Sequence, residues 1–132
     1  MAITFDTLIP NLVVADVARS LIFYRDVLGF EVVTTVPAEA PHVFVWLRRG
    51  DVHVYLNDAQ AVLRESHGGA GLAAGQSGIS MFLKVTGLRA LHDAIAPRVT
   101  IVAPLERKFY GLTEFALTDP DGYLITFAEQ ID

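Results

Sequence analysis

The sequence of 132 residues contains no cysteine. Disulfides, zinc–thiolate sites and cysteine nucleophiles are therefore excluded. No apolar run approaches the roughly 20 residues that span a bilayer, and the first residues lack the basic start of a signal peptide. We therefore expect a cytoplasmic protein without a membrane partner.

Basic residues are also scarce, with ten Lys and Arg against fifteen Asp and Glu, which gives a formal net charge of −5. Nucleic acid requires a basic face that neutralises phosphates, so this balance argues against a nucleic-acid partner. An acidic chain suits a neutral or cationic small molecule, although the same charge also simply keeps a protein in solution. Hydrophobic residues make up 52% of the chain and charged residues 19%, which is enough for one buried core in a single domain.

The chain contains a hidden repeat. Residues 44–56 and 115–127 each predict a strand, a tight turn and a second strand. The two segments are offset by 115 − 44 = 71 residues, and the same offset relates the strand-to-helix starts at 12–16 and 83–87. The sequence thus predicts an α+β domain over 1–132, with module one at about 5–57, a linker at about 58–76 and module two at about 77–130.

Each module reads as a βαβββ unit, and the two units are expected to form a curved mixed-sheet cup with the helices on its outer face. The first helix should be capped by Asp16 and stopped by Gly29, and the second should be capped by Thr86 and end before Pro97. The glycine-rich stretch at 67–76 lacks the Gly-Lys-Ser/Thr of a phosphate loop, so we interpret it as a linker or a lid.

Strand alternation sorts the side chains into two faces. In the first hairpin it sends aliphatic residues toward the helices and aromatic residues to the opposite face. Apolar walls with a few polar groups are typical of a small-molecule pocket, although the same aromatics could pack as a second core or a dimer interface. The predicted ligand-binding residues are Phe44, Trp46, His53, Tyr55, Asn57, Phe82, Phe115, Leu117 and Thr126.

Two stretches resemble a known family. Residues 11–30, which include Ser20 and the pair Phe23-Tyr24, are similar to the opening signature of the vicinal oxygen chelate superfamily. Residues 111–122, which end in Asp119-Pro120-Asp121-Gly122, are similar to its closing signature. The superfamily includes glyoxalases, extradiol dioxygenases, fosfomycin-resistance enzymes and bleomycin-resistance proteins. This chain resembles the bleomycin-resistance branch most.

The resemblance implies four metal-ligand positions, one on the first and one on the last strand of each module. In this sequence they map to Ile9, Tyr55, Ser80 and Thr126, none of which is a His, Glu, Asp or Gln. Neutral or aliphatic groups are poor ligands for a divalent ion. We therefore expect no metal and no other cofactor.

Three functional hypotheses remain at this point. The first is a metal-independent protein that sequesters an aromatic or cationic, antibiotic-like compound. The second is an enzyme that uses a noncanonical metal site, or His53 and Tyr55 as acid and base; His42 could pair with His53 in such a metal site. The third is a domain that dimerises and holds no ligand. A homodimer is expected, with its modules paired within one chain or swapped between chains. Alternation places Glu114 on the helix side, although a bulge at the start of its strand could turn it inward as a polar contact.

Overall fold

The computed structural model describes residues 2–65, 74–75 and 78–131. Module one comprises β1 (Asn11–Val14), α1 (Val17–Leu21), which continues as a π-helix (Ile22–Val27), β2 (Glu31–Val36), β3 (Phe44–Arg49) and β4 (Val52–Asp58). A short helix, α2 (Ala59–Glu65), follows. Module two comprises β5 (Met81–Lys84), α3 (Leu88–Ile95), which continues as a 3₁₀ turn (Ala96–Arg98), β6 (Thr100–Arg107), β7 (Thr113–Thr118) and β8 (Leu124–Glu129).

Each module forms one four-stranded mixed sheet. Sheet A has the strand order β1-β4-β3-β2, and sheet B has the order β5-β8-β7-β6. The first strand of each module runs parallel to the last, and the remaining pairs are antiparallel. The predicted α+β fold with two βαβββ modules is confirmed.

The two helices that follow the first strands begin differently. Asp16 caps α1 as predicted, because its carboxylate accepts a hydrogen bond from the Arg19 amide at 3.1 Å. The Thr86 cap is wrong. Gly87 is the N-cap of α3, with a left-handed φ of 89°, and Glu129 accepts the amides of Gly87 and Leu88 at 3.1 and 2.9 Å. Glu129 lies at the end of β8, too distant in sequence to be read as a cap.

The predicted linker begins with a helix that the sequence did not suggest. The Asp58 carboxylate accepts the Ala61 amide at 3.0 Å and so caps α2. The glycine-rich stretch lies outside the described residues, apart from 74–75. No helix within the described part of the chain is long and apolar enough to cross a membrane.

One hydrophobic core takes side chains from both modules and from the helices. In sheet A the core side is aliphatic, as alternation predicted. In sheet B it combines aliphatic and aromatic side chains. The core side chains of the two central hairpins are Val45, Leu47, Val54, Leu56, Phe115, Leu117, Ile125 and Phe127. We call the opposite face of each sheet, which points away from this core, its cup face.

Candidate functional site

An aromatic cluster occupies the cup face of sheet A. Adjacent strands β3 and β4 place Trp46 directly opposite Tyr55. The ring centroids of Phe44 and Tyr55 are 5.0 Å apart, and those of Trp46 and Tyr55 are 6.0 Å apart, both edge to face. All of these side chains are half-buried, so they combine mutual contact with a surface left open to a ligand. We call Phe44, Trp46, His53 and Tyr55 the aromatic face.

His53 is held in the aromatic face by a hydrogen bond. The indole Nε1 of Trp46 donates to Nδ1 of His53 at 2.9 Å, and the ring centroids are 5.8 Å apart. An indole can only donate, so Nδ1 carries the lone pair and the proton of the neutral imidazole lies on Nε2. The ring therefore offers a ligand a donor. The one lone pair of the neutral ring, on Nδ1, already accepts the hydrogen bond from Trp46, which is unfavourable for a general base.

A polar pair continues the cup face of sheet A toward its edge. Asn57 on β4 donates its side-chain amide to the Asn11 side chain on the neighbouring β1. Asn57 is one of the predicted ligand-binding residues. The pair supplies the polar groups beside the aromatic face.

Sheet B presents a different cup face. Phe82 and Thr126 lie opposite each other there, as the alternation predicted, and Phe82 is 52% exposed. Glu114 also belongs to this face, because it lies two residues before Ala116 on β7, and Ala116 pairs with Thr126 on β8. Its carboxylate is buried and accepts the Tyr110 hydroxyl at 2.6 Å, which raises the pKa of Tyr110. The expected helix-side position of Glu114 is therefore wrong.

Phe115 and Leu117 do not line the cup. Both are fully buried in the core, and the Phe115 ring stacks on Phe127 with centroids 5.3 Å apart. Their predicted position on the cup face is therefore wrong.

Turn length explains this error. Trp46 pairs with Tyr55 across eight residues, whereas Ala116 pairs with Thr126 across nine. The offset of 71 therefore holds for β4 and β8 but falls to 116 − 46 = 70 for β3 and β7. A shift of one residue transfers a whole strand to the other face of its sheet.

A cavity of about 820 Å³ lies where the edges of the two sheets meet. Segment 7–13 and the start of β4 line it from module one, and residues 79–84 with the start of β8 line it from module two. Of the predicted ligand-binding residues, His53 and Phe82 contribute to this cavity, while the remainder of the aromatic face lies outside it.

The positions implied for a metal do not fit one. Ile9 and Ser80 precede the first strands, and Tyr55 and Thr126 lie on the last strands. Ile9 has no donor atom, and no anionic group accompanies the three neutral hydroxyls in this set. Among the residues the structure describes, no three His, Asp or Glu side chains form a group that could hold an ion. His42 instead contacts the Pro37 carbonyl through Nδ1 at 2.9 Å.

The signature residues themselves lie between the modules. The buried Tyr24 hydroxyl donates to Asp119 at 2.7 Å, and the amides of Asp121 and Tyr123 donate to the other Asp119 oxygen at 2.9 Å. Burial raises the pKa of Asp119, and burial together with Asp119 raises the pKa of Tyr24 well above its ordinary value. Asp121 accepts from the Ser20 hydroxyl at 3.4 Å. We call Ser20, Tyr24, Asp119 and Asp121 the clamp.

The model of the Glyoxalase/Bleomycin resistance protein/Dioxygenase superfamily matches residues 5–127. The chain belongs to this superfamily. Bleomycin resistance proteins of Geobacillus stearothermophilus and Staphylococcus aureus are each 29% identical to it over 130 residues, covering 93% of this chain and 96% of theirs.

Solved structures share this fold. A protein of unknown function from Agrobacterium tumefaciens is 27% identical, with a TM-score of 0.74 and coverage of 99% of this chain and 97% of that one. The bleomycin-binding protein of Streptomyces verticillus, solved with copper(II)-bleomycin, is 24% identical, with a TM-score of 0.64 and coverage of 96% and 97%. In this superfamily member the recognisable signature residues join the modules, whereas the aromatic face is formed by residues outside those signatures.

Proposed function

We propose that this superfamily member is a cytoplasmic, metal-independent binding protein that sequesters an aromatic, cationic, antibiotic-like compound. The observation that carries the proposal is the aromatic face, with its half-open rings and the Trp46–His53 hydrogen bond. Flat aromatic groups gain both buried area and edge-to-face contacts on such a surface.

Charge supports a cationic ligand. Glu114 places a buried carboxylate on the cup face of sheet B, and the whole chain carries a formal net charge of −5. Rings attract cations through their faces, so the aromatic face favours the same charge. The bleomycin resistance proteins that match nearly the whole chain supply the class of compound to test first.

The engaged lone pair of His53 supports binding rather than acid–base catalysis. A neutral imidazole that accepts from Trp46 can donate from Nε2 but has no free acceptor nitrogen. A base at this position would first have to break the bond that orients it. We therefore place binding ahead of the enzyme hypothesis.

Titration of the single tryptophan tests this proposal. Metal-free bleomycin is expected to change Trp46 fluorescence saturably, after correction for its own absorption, and calorimetry should give the same affinity. His53→Leu removes the acceptor for Trp46 and should weaken binding about ten-fold, equivalent to about 1.4 kcal/mol. His53→Gln keeps an acceptor for Trp46 and should lose less affinity.

His42→Leu is the matched control, because this histidine contacts the Pro37 carbonyl outside the aromatic face. It should leave the affinity unchanged. Repeating the titration in EDTA should also leave it unchanged if binding is metal-independent. Equal losses for the two histidine variants, or loss of binding in EDTA, would contradict the proposal.

We further infer that a second copy of the chain covers the residues ahead of β1. Ile3, Phe5 and Leu8 are 87, 99 and 88% exposed, which is a large apolar surface for one short segment. They lead directly into β1, an edge strand whose outer side has no strand partner among the described elements. The predicted homodimer would bury both features.

Sedimentation velocity tests the dimer. The wild-type chain should sediment as a dimer at micromolar concentration, and the double variant Ile3→Ser with Phe5→Ser should sediment as a monomer with unchanged circular dichroism. A monomeric wild-type chain would overturn the inference.

A further inference from the structure

The two modules meet at two joints that the internal repeat relates to each other. At the first joint, the turn after β7 packs on α1, and the clamp fills the space with buried hydrogen bonds. At the second joint, the turn after β3 faces the beginning of α3. There the structure has a cavity of about 520 Å³ instead of a clamp.

The residues that fill the first joint have different counterparts at the second. Arg49 occupies the place in module one that Asp119 occupies in module two. Arg49 directly follows Arg48 in β3, and Asp119 directly follows Thr118 in β7. A guanidinium therefore replaces a carboxylate. Leu91 lies four residues after the N-cap of α3, as Ser20 lies four residues after that of α1. Arg49 and Leu91 both line the cavity.

The lining combines apolar walls with two cations. Leu28, Phe30 and Phe127 supply apolar surface beside Leu91, and no carboxylate belongs to the described lining. Lys84 also lines the cavity, as it does the larger one, and its side chain forms no hydrogen bond or ion pair with any residue that the structure describes. An arginine and a lysine thus border one apolar cavity in a chain whose formal net charge is −5.

The guanidinium of Arg49 is fixed in place, and no carboxylate among the described residues neutralises it. Its Nη1 donates to the Leu28 carbonyl at 2.6 Å, which positions the group without supplying an anionic partner. A carboxylate is the group that a guanidinium binds with two parallel hydrogen bonds. The first joint shows that this fold accommodates carboxylates at the equivalent place, since Asp119 and Asp121 occupy it.

We propose that the cavity at the second joint binds an apolar monocarboxylate. Its carboxylate pairs with Arg49 and Lys84, and its apolar body fills the space against Leu28, Phe30 and Leu91. A cavity of this volume lies within the usual range for small-ligand sites. Phe44, Trp46 and Tyr55 do not line it, so this site is separate from the aromatic face and does not depend on the function proposed above.

Calorimetry with 1-naphthoate and 1-naphthamide tests the proposal, because the two compounds have nearly the same shape but only the first carries a negative charge. Naphthoate is expected to bind at least about ten-fold more tightly than naphthamide, because charge-assisted hydrogen bonds are stronger than neutral ones. Amide chemical shifts in an NMR titration should move at Leu28, Gly87 and Leu91 and stay constant at Trp46 and Tyr55.

Three variants make the test specific. Lys84→Gln should weaken naphthoate binding about three- to ten-fold, the range for a partly exposed charge pair. Ala90→Met narrows the cavity that Ala90 lines and should abolish binding. Arg107→Gln removes the same formal charge from the exposed end of β6 and should have no effect. Absence of naphthoate binding, equal affinity for acid and amide, or shifts confined to the aromatic face would overturn the proposal.

Discussion

Replacing Phe115 by alanine is expected to lower the free energy of unfolding by about 3–5 kcal/mol, the range for removing a large aromatic side chain from a core. Phe115 is fully buried, stacks on Phe127 and meets the His92 ring edge to face at 5.0 Å between centroids. The loss combines buried apolar area with a cavity that the surrounding strands cannot close. Urea denaturation followed by circular dichroism measures it.

Phe109→Ala is the matched control, since the Phe109 side chain is 99% exposed. Its effect should stay within about 0.5 kcal/mol. The comparison also tests the position of Phe115 on the core side of sheet B. A stable Phe115→Ala protein that had lost ligand binding would place that residue in the cup after all.

Asp119→Ala should destabilise the protein by about 2–4 kcal/mol, because it leaves buried donors without an acceptor. These donors are the Tyr24 hydroxyl and the amides of Asp121 and Tyr123. Tyr24 and Asp119 belong to different modules, so the loss should loosen the joint between them. The same urea titration gives the magnitude, and hydrogen exchange at the Tyr123 amide reports the opening directly.

Asp51→Ala provides the control for this prediction. Asp51 lies in the corresponding turn of module one, is exposed, and has no hydrogen bond within the described residues. Its replacement should change stability by less than about 0.5 kcal/mol. Equal effects of the two aspartate variants would contradict a structural role for the clamp.

The clamp also predicts a pH dependence with a defined sign. Burial raises the pKa of Asp119 in the folded protein above its ordinary value, which is about 3.9. As pH rises from that value, the unfolded chain releases this proton before the folded chain does. The Asp119 contribution to stability therefore falls until the raised folded pKa is passed. Asp119→Ala should remove this component from the slope of stability against pH.

Several features of the fold followed from local sequence. The hairpin at 44–56 combines a two-residue turn with strict alternation, so its aliphatic and aromatic faces were predicted correctly. Asp16 caps the helix that follows it because both partners of the hydrogen bond are three residues apart. The family resemblance followed from signature segments that are contiguous in sequence.

The register of β7, in contrast, did not follow from local sequence. Phe115, Ala116 and Leu117 are all apolar, so alternation carries no signal that distinguishes one face from the other. The length of the turn after Thr118 decides the face, and nothing in the composition of the strand reveals that one residue is added. The helix-side position expected for Glu114 came from the same one-residue error.

The sequence by itself determined that this protein repeats a βαβββ unit, which residues form its hairpins, and that its superfamily metal positions hold poor ligands, because these properties depend on neighbours along the chain. The tertiary structure decided that Tyr24 meets Asp119 across 95 residues, that Glu129 caps α3, and that one joint closes while the other holds a cavity. These contacts depend on how two sheets dock on a shared core. Local pattern specifies which face of an element is apolar but not which distant side chain it will meet.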